Sequence, residues 1–451
     1  MATHLFLRKV KMGILPLPVD YLFTGGTILT MDKERRIIQN GAVAVKNSKI
    51  EWIGTQEEAV GRFIAAQKLD LNGKVLIPGL INAHGHWAMT LFRGLVDDRP
   101  LEAWLQTIWK VEAAFINAEN VVTGTEFAMV EMIRSGTTCA ADMYWEFEEA
   151  FESIRQAGFR LVNGPIFAEI PGFENRQNVN YDSALELLDR YQQDPLIHLR
   201  IQAHSTYTTN QSILEDIARI AQDRRLGFIT HASESKGELE IVRQKYGKTP
   251  IEVLDSVGLL GKETLLAHCV HLSDREIERL AETGTSVVHC PSSNLKLSSG
   301  IARIADLVRA GVNVAIGTDG PASNNDLDLF HEAQLAALVQ KGVTGDPTVL
   351  PAEKVFAMLT IEGAQAVGLA DRIGSIETGK LADLAVVNFD AVNLTPCYDI
   401  YSHLIYAASA ADVSDVMIHG RLVMQDRKLL TLDEAKLKTQ IRKIAQNVLV
   451  L

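Results

Sequence analysis

The chain has 451 residues, 47% hydrophobic and 22% charged, which is enough apolar material for a barrel-sized core and a smaller module. Its formal net charge of −12 and the absence of a Lys/Arg-rich block exclude a phosphate-tracking stripe, so nucleic acid is not an expected partner. No apolar run reaches the roughly 20 residues that span a bilayer, which argues against a membrane partner.

Residues 1–18 read as an N-terminal extension. Their apolar part, Gly13 to Pro18, is too short and proline-broken for a secretory signal. From about Asp20 to Lys74 the pattern is short strands and turns: Tyr21-Leu22-Phe23, a Gly25-Gly26 turn, Thr27 to Met31, then Ala42 to Val45 and Ile50 to Gly54 around Asn47-Ser48. The same style returns at Leu381 to Val387 and Val416 to Val423, and a last helix is expected over Asp433 to Asn447. The simplest arrangement is one small β-sandwich domain built from both chain ends, residues 19–77 and 371–451, with the last helix included. Between them, over 78–370, apolar strands alternate with amphipathic helices such as Asn120 to Arg134 and Ser273 to Thr283. That alternation is the pattern of a (β/α)8 TIM-type barrel.

The strand ends of the central region carry the chemistry. Val75 to Ile81 leads into His84-Gly85-His86. In extended backbone, residues i and i+2 point to the same side, so both imidazoles aim at one place. Further apolar runs end in His204, His231, His268, His289 and Asp319. Buried parallel strands read this way, and the chemistry of such a barrel collects at the C-terminal strand ends. Imidazole and carboxylate together suit a divalent first-row ion, with zinc the default. Taken one at a time, the residues also admit plainer readings: an Asx turn for Asp319, a helix N-terminal acid for Glu234, a satisfied core histidine for His268 or His204. The four cysteines lie apart without a Cys-x-x-Cys pair, which fits a reducing cytoplasm.

The run Pro78-Gly79-Leu80-Ile81-Asn82-Ala83-His84-Gly85-His86 resembles the opening motif of the amidohydrolase superfamily. Thr230-His231-Ala232-Ser233-Glu234, Leu266-Ala267-His268-Cys269-Val270-His271, His289 to Leu297 and Gly317-Thr318-Asp319-Gly320-Pro321-Ala322-Ser323-Asn324 match further motifs. Within the superfamily the chain is most similar to the 5-methylthioadenosine/S-adenosylhomocysteine deaminases. The resemblance implies one divalent metal ion, zinc expected, held by His84, His86, His231 and Asp319. These are the same residues that the strand ends bring forward. It implies that the metal-bound water is ionised near neutral pH and that Asp319 accepts its proton. Glu234 would protonate purine N1 during attack at C6 and then help ammonia leave. His268 would steady the developing negative charge.

On the substrate side, the resemblance points to Trp104 lining a nucleoside pocket, Glu112 accepting from the ribose hydroxyls and His204 contacting the purine. Helix packing for Trp104 and a solvated face for Glu112 are the plainer alternatives. Ser323 is expected to touch the substrate. Arg160 and Arg176 are candidates for meeting a homocysteine carboxylate, although neither lies in a quoted motif. His289 has no assigned step and reads as a buried strand-end histidine. Relatives of this kind are often dimers or tetramers, so a homo-oligomer is expected. Two departures stand out: Gly85, where threonine is frequent, and Trp87, expected to reshape the pocket mouth.

Other chemistries lack their signatures. There is no Pro-Cys-x-x-Cys, so a zinc deaminase of the cytidine type is excluded. His331-Glu332 does not continue into His-Glu-x-x-His, and Gly247-Lys248-Thr249 lacks the upstream glycine of a phosphate loop. The expected activity is hydrolytic deamination of 5′-methylthioadenosine, S-adenosylhomocysteine or both. The rivals are a triazine chlorohydrolase or guanine-type deaminase on the same fold, and a scaffold that has lost its chemistry.

Overall fold

The computed structural model describes residues 15–145, 147–170 and 181–448. Five strands open the chain: β1 (Leu17–Leu29), β2 (Ile37–Lys46), β3 (Lys49–Thr55), β4 (Phe63–Asp70) and β5 (Lys74–Pro78). β1 begins inside the stretch expected as an extension, because Leu17 already pairs with Phe63. On one edge β1 runs antiparallel to β2. On the other it pairs first with β4 and then, past an irregularity at Gly26, with β5. A Cβ on Gly26 would stand 2.5 Å from the Leu71 Cβ, so only glycine lets the chain pass there.

The barrel follows. Its strands are β6 (Leu80–Asn82), β7 (Thr137–Ala141), β8 (Arg160–Asn163), β9 (Ile166–Phe167), β10 (Ile197–Leu199), β11 (Ile201–Ser205), β12 (Phe228–Ala232), β13 (Thr264–His268), β14 (Ser286–His289) and β15 (Val314–Ile316). β8 with β9, and β10 with β11, are two interrupted staves, so ten segments make eight staves. β8 pairs with β7 and β10, while β9 pairs with β11. All pairings are parallel, and β7, β12, β13 and β14 are buried along their whole length, as strands covered by helices outside and side chains inside should be. The ring closes where Ala83 N–H donates to the Ile316 carbonyl (3.0 Å) and Asp319 N–H to the His84 carbonyl (3.1 Å).

Helices between the strands start at side-chain caps. Ser273 and Glu276 form a capping box for Asp274–Thr283, as do Thr249 and Glu252 for Pro250–Ser256. The chain then returns to the first sheet with β16 (Leu384–Asn388), β17 (Val413–Ile418), β18 (Arg421–Gln425) and β19 (Lys428–Leu429). β16 lies antiparallel to β5, Leu384 opposite Pro78 and Asn388 opposite Lys74, which joins both chain ends in one nine-stranded sheet.

The last helix, Glu434–Val448, packs on the barrel helix Ala118–Arg134, fixed by an Arg134–Glu434 ion pair and by Leu437 and Val448, both buried. Among the described residues no helix is long and apolar enough to cross a membrane.

Candidate active site and metal centre

β6, β12 and β15 deliver the four expected ligands. Each strand ends as its chain leaves the barrel, and the polar residue just past the apolar run faces the axis. His231 Nε2 stands 3.1 Å from His84 Nε2 and 3.3 Å from His86 Nε2. Asp319 Oδ1 stands 3.5 Å from His84 Nε2 and 3.2 Å from His86 Nε2. Ligand atoms about 2.0–2.1 Å from a tetrahedral centre lie roughly 3.3 Å apart, so this set has the spacing of a metal coordination shell.

The outer contacts agree. His86 Nδ1 meets the Met143 carbonyl at 2.5 Å and His231 Nδ1 meets the His204 carbonyl at 2.7 Å. A carbonyl only accepts, so each Nδ1 carries the proton and each Nε2 turns a lone pair inward. Lone pairs this close repel unless a cation sits among them, and the donor set therefore fits a divalent metal.

Asp319 is gripped from behind. Ser293 Oγ (2.6 Å) and Ser323 Oγ (2.8 Å) both donate to its Oδ2, which leaves Oδ1 toward the histidines. Burial opposes ionisation of Asp319, but the closeness of the His84 and His86 rings outweighs it and holds the carboxyl well below the usual carboxylate range. Ser323, expected to touch the substrate, does not line the cleft; its hydroxyl is buried against Asp319 and Gly320, behind the carboxylate.

Glu234 and His268 come together beside the cluster, Glu234 Oε2 lying 3.9 Å from His268 Nε2. Burial pushes the Glu234 carboxyl up, against the charge of His268. Burial lowers His268, but the charges of Glu234 and Asp319 raise it overall. His268 Nδ1 donates to Asn294 Oδ1 at 2.8 Å, which turns Nε2 toward the centre. His268 (φ 73°) and Asp319 (φ 59°) both have left-handed backbone. Such conformations cost about 1–3 kcal/mol each and persist at sites whose surroundings hold them.

The cleft above this group spans about 680 Å³ of empty space, its solvent-open mouth included. Trp104 and Glu112, eight residues apart with Ile108 midway between them on the same buried face of helix Leu101–Phe115, line it. His204 also lines it, its ring 4.9 Å from that of His231 and 6.3 Å from that of Trp109 on the same helix. Burial and the neighbouring rings lower its pKa to about 3, so it is neutral. Glu112 is buried and accepts from Tyr144 Oη at 2.8 Å.

Two expectations fail and one lies beyond view. Arg160 opens β8 and therefore sits at the N-terminal mouth, opposite the site. It is wholly buried and makes a two-pronged pair with Asp383 (2.7 and 3.0 Å) that ties the barrel to the small domain. Trp87 is also wholly buried, edge-on to Phe159 in the main core, and does not shape the cleft. Arg176 lies outside the described residues. His289 is buried as expected, and burial lowers it to about 3.

Sequence reasoning missed Tyr144, Trp109, Trp145 and Tyr207, which line the cleft, and Asn294 and Ser293, which hold His268 and Asp319. The polar-aromatic run Met143-Tyr144-Trp145, placed just after β7, was a readable signal for the first of these. Asn294 and Ser293 stood in a motif already singled out.

A parallel barrel with this cluster at its C-terminal mouth defines a metal-dependent hydrolase. The amidohydrolase family model matches residues 75–423, and the chain belongs to that family. The 5-methylthioadenosine/S-adenosylhomocysteine deaminase of Syntrophobacter fumaroxidans (strain DSM 10017 / MPOB) is 45% identical to it over 431 residues, covering 95% of this chain and 98% of that protein. The 5'-deoxyadenosine deaminase of Methanosarcina mazei is 38% identical, covering 95% and 98%. An adenosine deaminase from Xanthomonas campestris, solved with bound zinc, superposes with a TM-score of 0.94 at 39% identity, covering 97% of this chain and all (100%) of that one. The zinc complex of atrazine chlorohydrolase TrzN from Arthrobacter aurescens superposes at 0.86 with 22% identity, covering 94% and 100%, a likeness of fold alone.

Proposed function

We propose that this chain hydrolyses the 6-amino group of adenosine-type nucleosides, 5′-methylthioadenosine and S-adenosylhomocysteine foremost, giving the inosyl product and ammonia. The observation that carries the reading is Glu234 beside His268, both facing the His84/His86/His231/Asp319 set, with Glu112 buried in the same cleft. The names of the relatives support the substrate class, and 5′-deoxyadenosine belongs among the compounds to try.

His84, His86, His231 and Asp319 would hold one zinc ion per chain, which would make the attacking water acidic enough to act as nucleophile at neutral pH. The residues do the rest. Asp319 Oδ1 takes a proton, its other oxygen being occupied by two serines. His268, held by Asn294, turns Nε2–H toward the oxygen that adds to C6. Glu234, whose carboxyl is raised by burial, gives a proton to N1 as the oxygen adds. Asp319 then passes its proton to the amine, the C6–N bond breaks and ammonia leaves, and the proton of the new C6 hydroxyl returns to Glu234 as the carbonyl forms. Glu112 accepts from the ribose hydroxyls, Tyr144 fixing one of its oxygens, while Trp104 and His204 flank the base. A triazine or guanine has no diol for Glu112 to bind, which favours the nucleoside over those rivals.

We also propose a reducing, cytoplasmic setting, since the four cysteines lie apart in sequence without a Cys-x-x-Cys pair, and a homo-oligomeric assembly. The test is direct. Zinc-loaded protein is mixed with each nucleoside, and the adenine absorbance is followed. Loss of that absorbance with release of one ammonia per nucleoside is expected; no change with any of the three would end the assignment.

A further inference from the structure

Helix Leu329–Thr344 lies outside the barrel against the short helix Pro291–Lys296 and against β15. Near its start stands His331-Glu332, a pair that no role above uses. His331 is half exposed and pairs with Asp326, whereas Glu332 is fully buried. A polar group so placed is unfavourable unless its hydrogen bonds are made, and Glu332 makes them to two separate segments. Its Oε2 accepts from the Ser292 backbone N–H at 3.2 Å, and its Oε1 accepts from Asn324 Nδ2 at 2.9 Å.

Those two segments are the ones that grip the reaction centre. Next to Ser292, Ser293 donates to Asp319 Oδ2, and Asn294 accepts from His268 Nδ1. Next to Asn324, Ser323 donates to the same Asp319 oxygen, while Asn324 itself donates to the Thr318 carbonyl at 2.7 Å. One carboxylate therefore clamps the loop that carries Asp319 to the helix that steadies both Asp319 and His268.

We infer that Glu332 is a positioning residue for the metal centre, acting through Ser292 and Asn324 on Asp319 and His268. The inference rests on the metal-hydrolase reading of the site, and not on which nucleoside is turned over. A purely structural role would place the same carboxylate in the core with no consequence for the metal.

Glu332→Gln separates the two. The carboxamide keeps the shape and one acceptor, but turns an N–H₂ toward a group that also donates. Partners behind metal ligands typically change metal affinity or activity about 10–100-fold, and for a residue one contact further back the expected effect is about 10-fold. We expect zinc affinity, measured by competition with a chromophoric chelator, to fall by about that factor. Where a nucleoside is turned over, kcat should fall in parallel while KM stays near wild type, since Trp104 and Glu112 lie on another element. Asn324→Ser cuts the other end of the clamp and should give the same pattern. Glu276→Gln, which weakens a distant capping box, should lower the melting temperature and leave zinc affinity alone. Wild-type zinc affinity in both E332Q and N324S would overturn the inference. If E332Q does not accumulate as folded protein, N324S decides alone. Because chelator competition needs no substrate, failure of the nucleoside assignment leaves this test intact.

Discussion

Arg160→Met separates a substrate-binding arginine from a structural one. The guanidinium is fully buried, makes bonds of 2.7 and 3.0 Å to Asp383, and donates to the Pro195 carbonyl at 2.7 Å. Asp383 takes one further bond, from the His419 N–H at 2.8 Å. Methionine fills most of the volume but leaves the Asp383 carboxylate buried with a single donor. Removing one partner of a buried pair costs about 3–5 kcal/mol. That loss should be visible as a lower urea midpoint at unchanged slope. Replacing both partners, Arg160→Met with Asp383→Leu, should recover most of it, since an apolar pair of similar volume carries no uncompensated charge. The kinetic expectation is the opposite of the stability one: the ratio of kcat/KM for S-adenosylhomocysteine to that for 5′-methylthioadenosine should not move in the single variant. A selective loss for the substrate with the charged tail, at wild-type stability, would refute the placement of Arg160 at the far mouth of the barrel.

Three other outcomes follow from the site. Glu234→Gln should retain zinc while kcat falls about 10²–10⁴-fold, the range for a general acid–base group, measured by steady-state kinetics beside metal analysis. Glu112→Gln weakens a charge-assisted hydrogen bond of about 1.5–3 kcal/mol, so kcat/KM for nucleosides should drop roughly 10–100-fold; an equal loss for a 2′,3′-dideoxy analogue would show that Glu112 does not read the diol. Burial pushes Glu238 up to about 7 from an ordinary value of 4.5. A raised folded-state pKa makes this contribution to stability full below about 4.5 and lost as pH rises through about 7. Glu238→Gln, which can still accept from the Glu234 N–H, should therefore lose less stability than wild type between pH 5 and pH 7.5, by on the order of a few kcal/mol in paired urea titrations. Parallel curves for the two proteins would count against it.

Much of the site was legible because its rules are local. A histidine or aspartate just past a short apolar run has one place to go in a parallel barrel, and His84, His86, His231, His268 and Asp319 all went there. The pairing of the chain ends was legible for a similar reason: both halves of the small domain read as short strands, and β5 and β16 met as neighbours. Trp104 and Glu112, which the family resemblance brought forward, share a buried face of one helix.

Other assignments depended on distance in space. Arg160 reads equally well as a substrate ligand or a domain tie until β8 is given a direction, and its place at the strand start then sends it away from the cleft. Trp87 follows a ligand by one residue, yet Phe159 draws it into the core. Ser323 and Ser293 are unremarkable polar residues until Asp319 Oδ2 lies between them. The last helix is amphipathic wherever it lies, and only the apolar surface of Ala118–Arg134 decides where it packs. Sequence by itself thus determined which side chains gather at the barrel mouth and on which elements, because periodicity and residue type act over a few residues. The tertiary structure alone decided what stands behind each of them, because buried partners are chosen by packing between segments up to hundreds of residues apart, as Arg160 and Asp383 are.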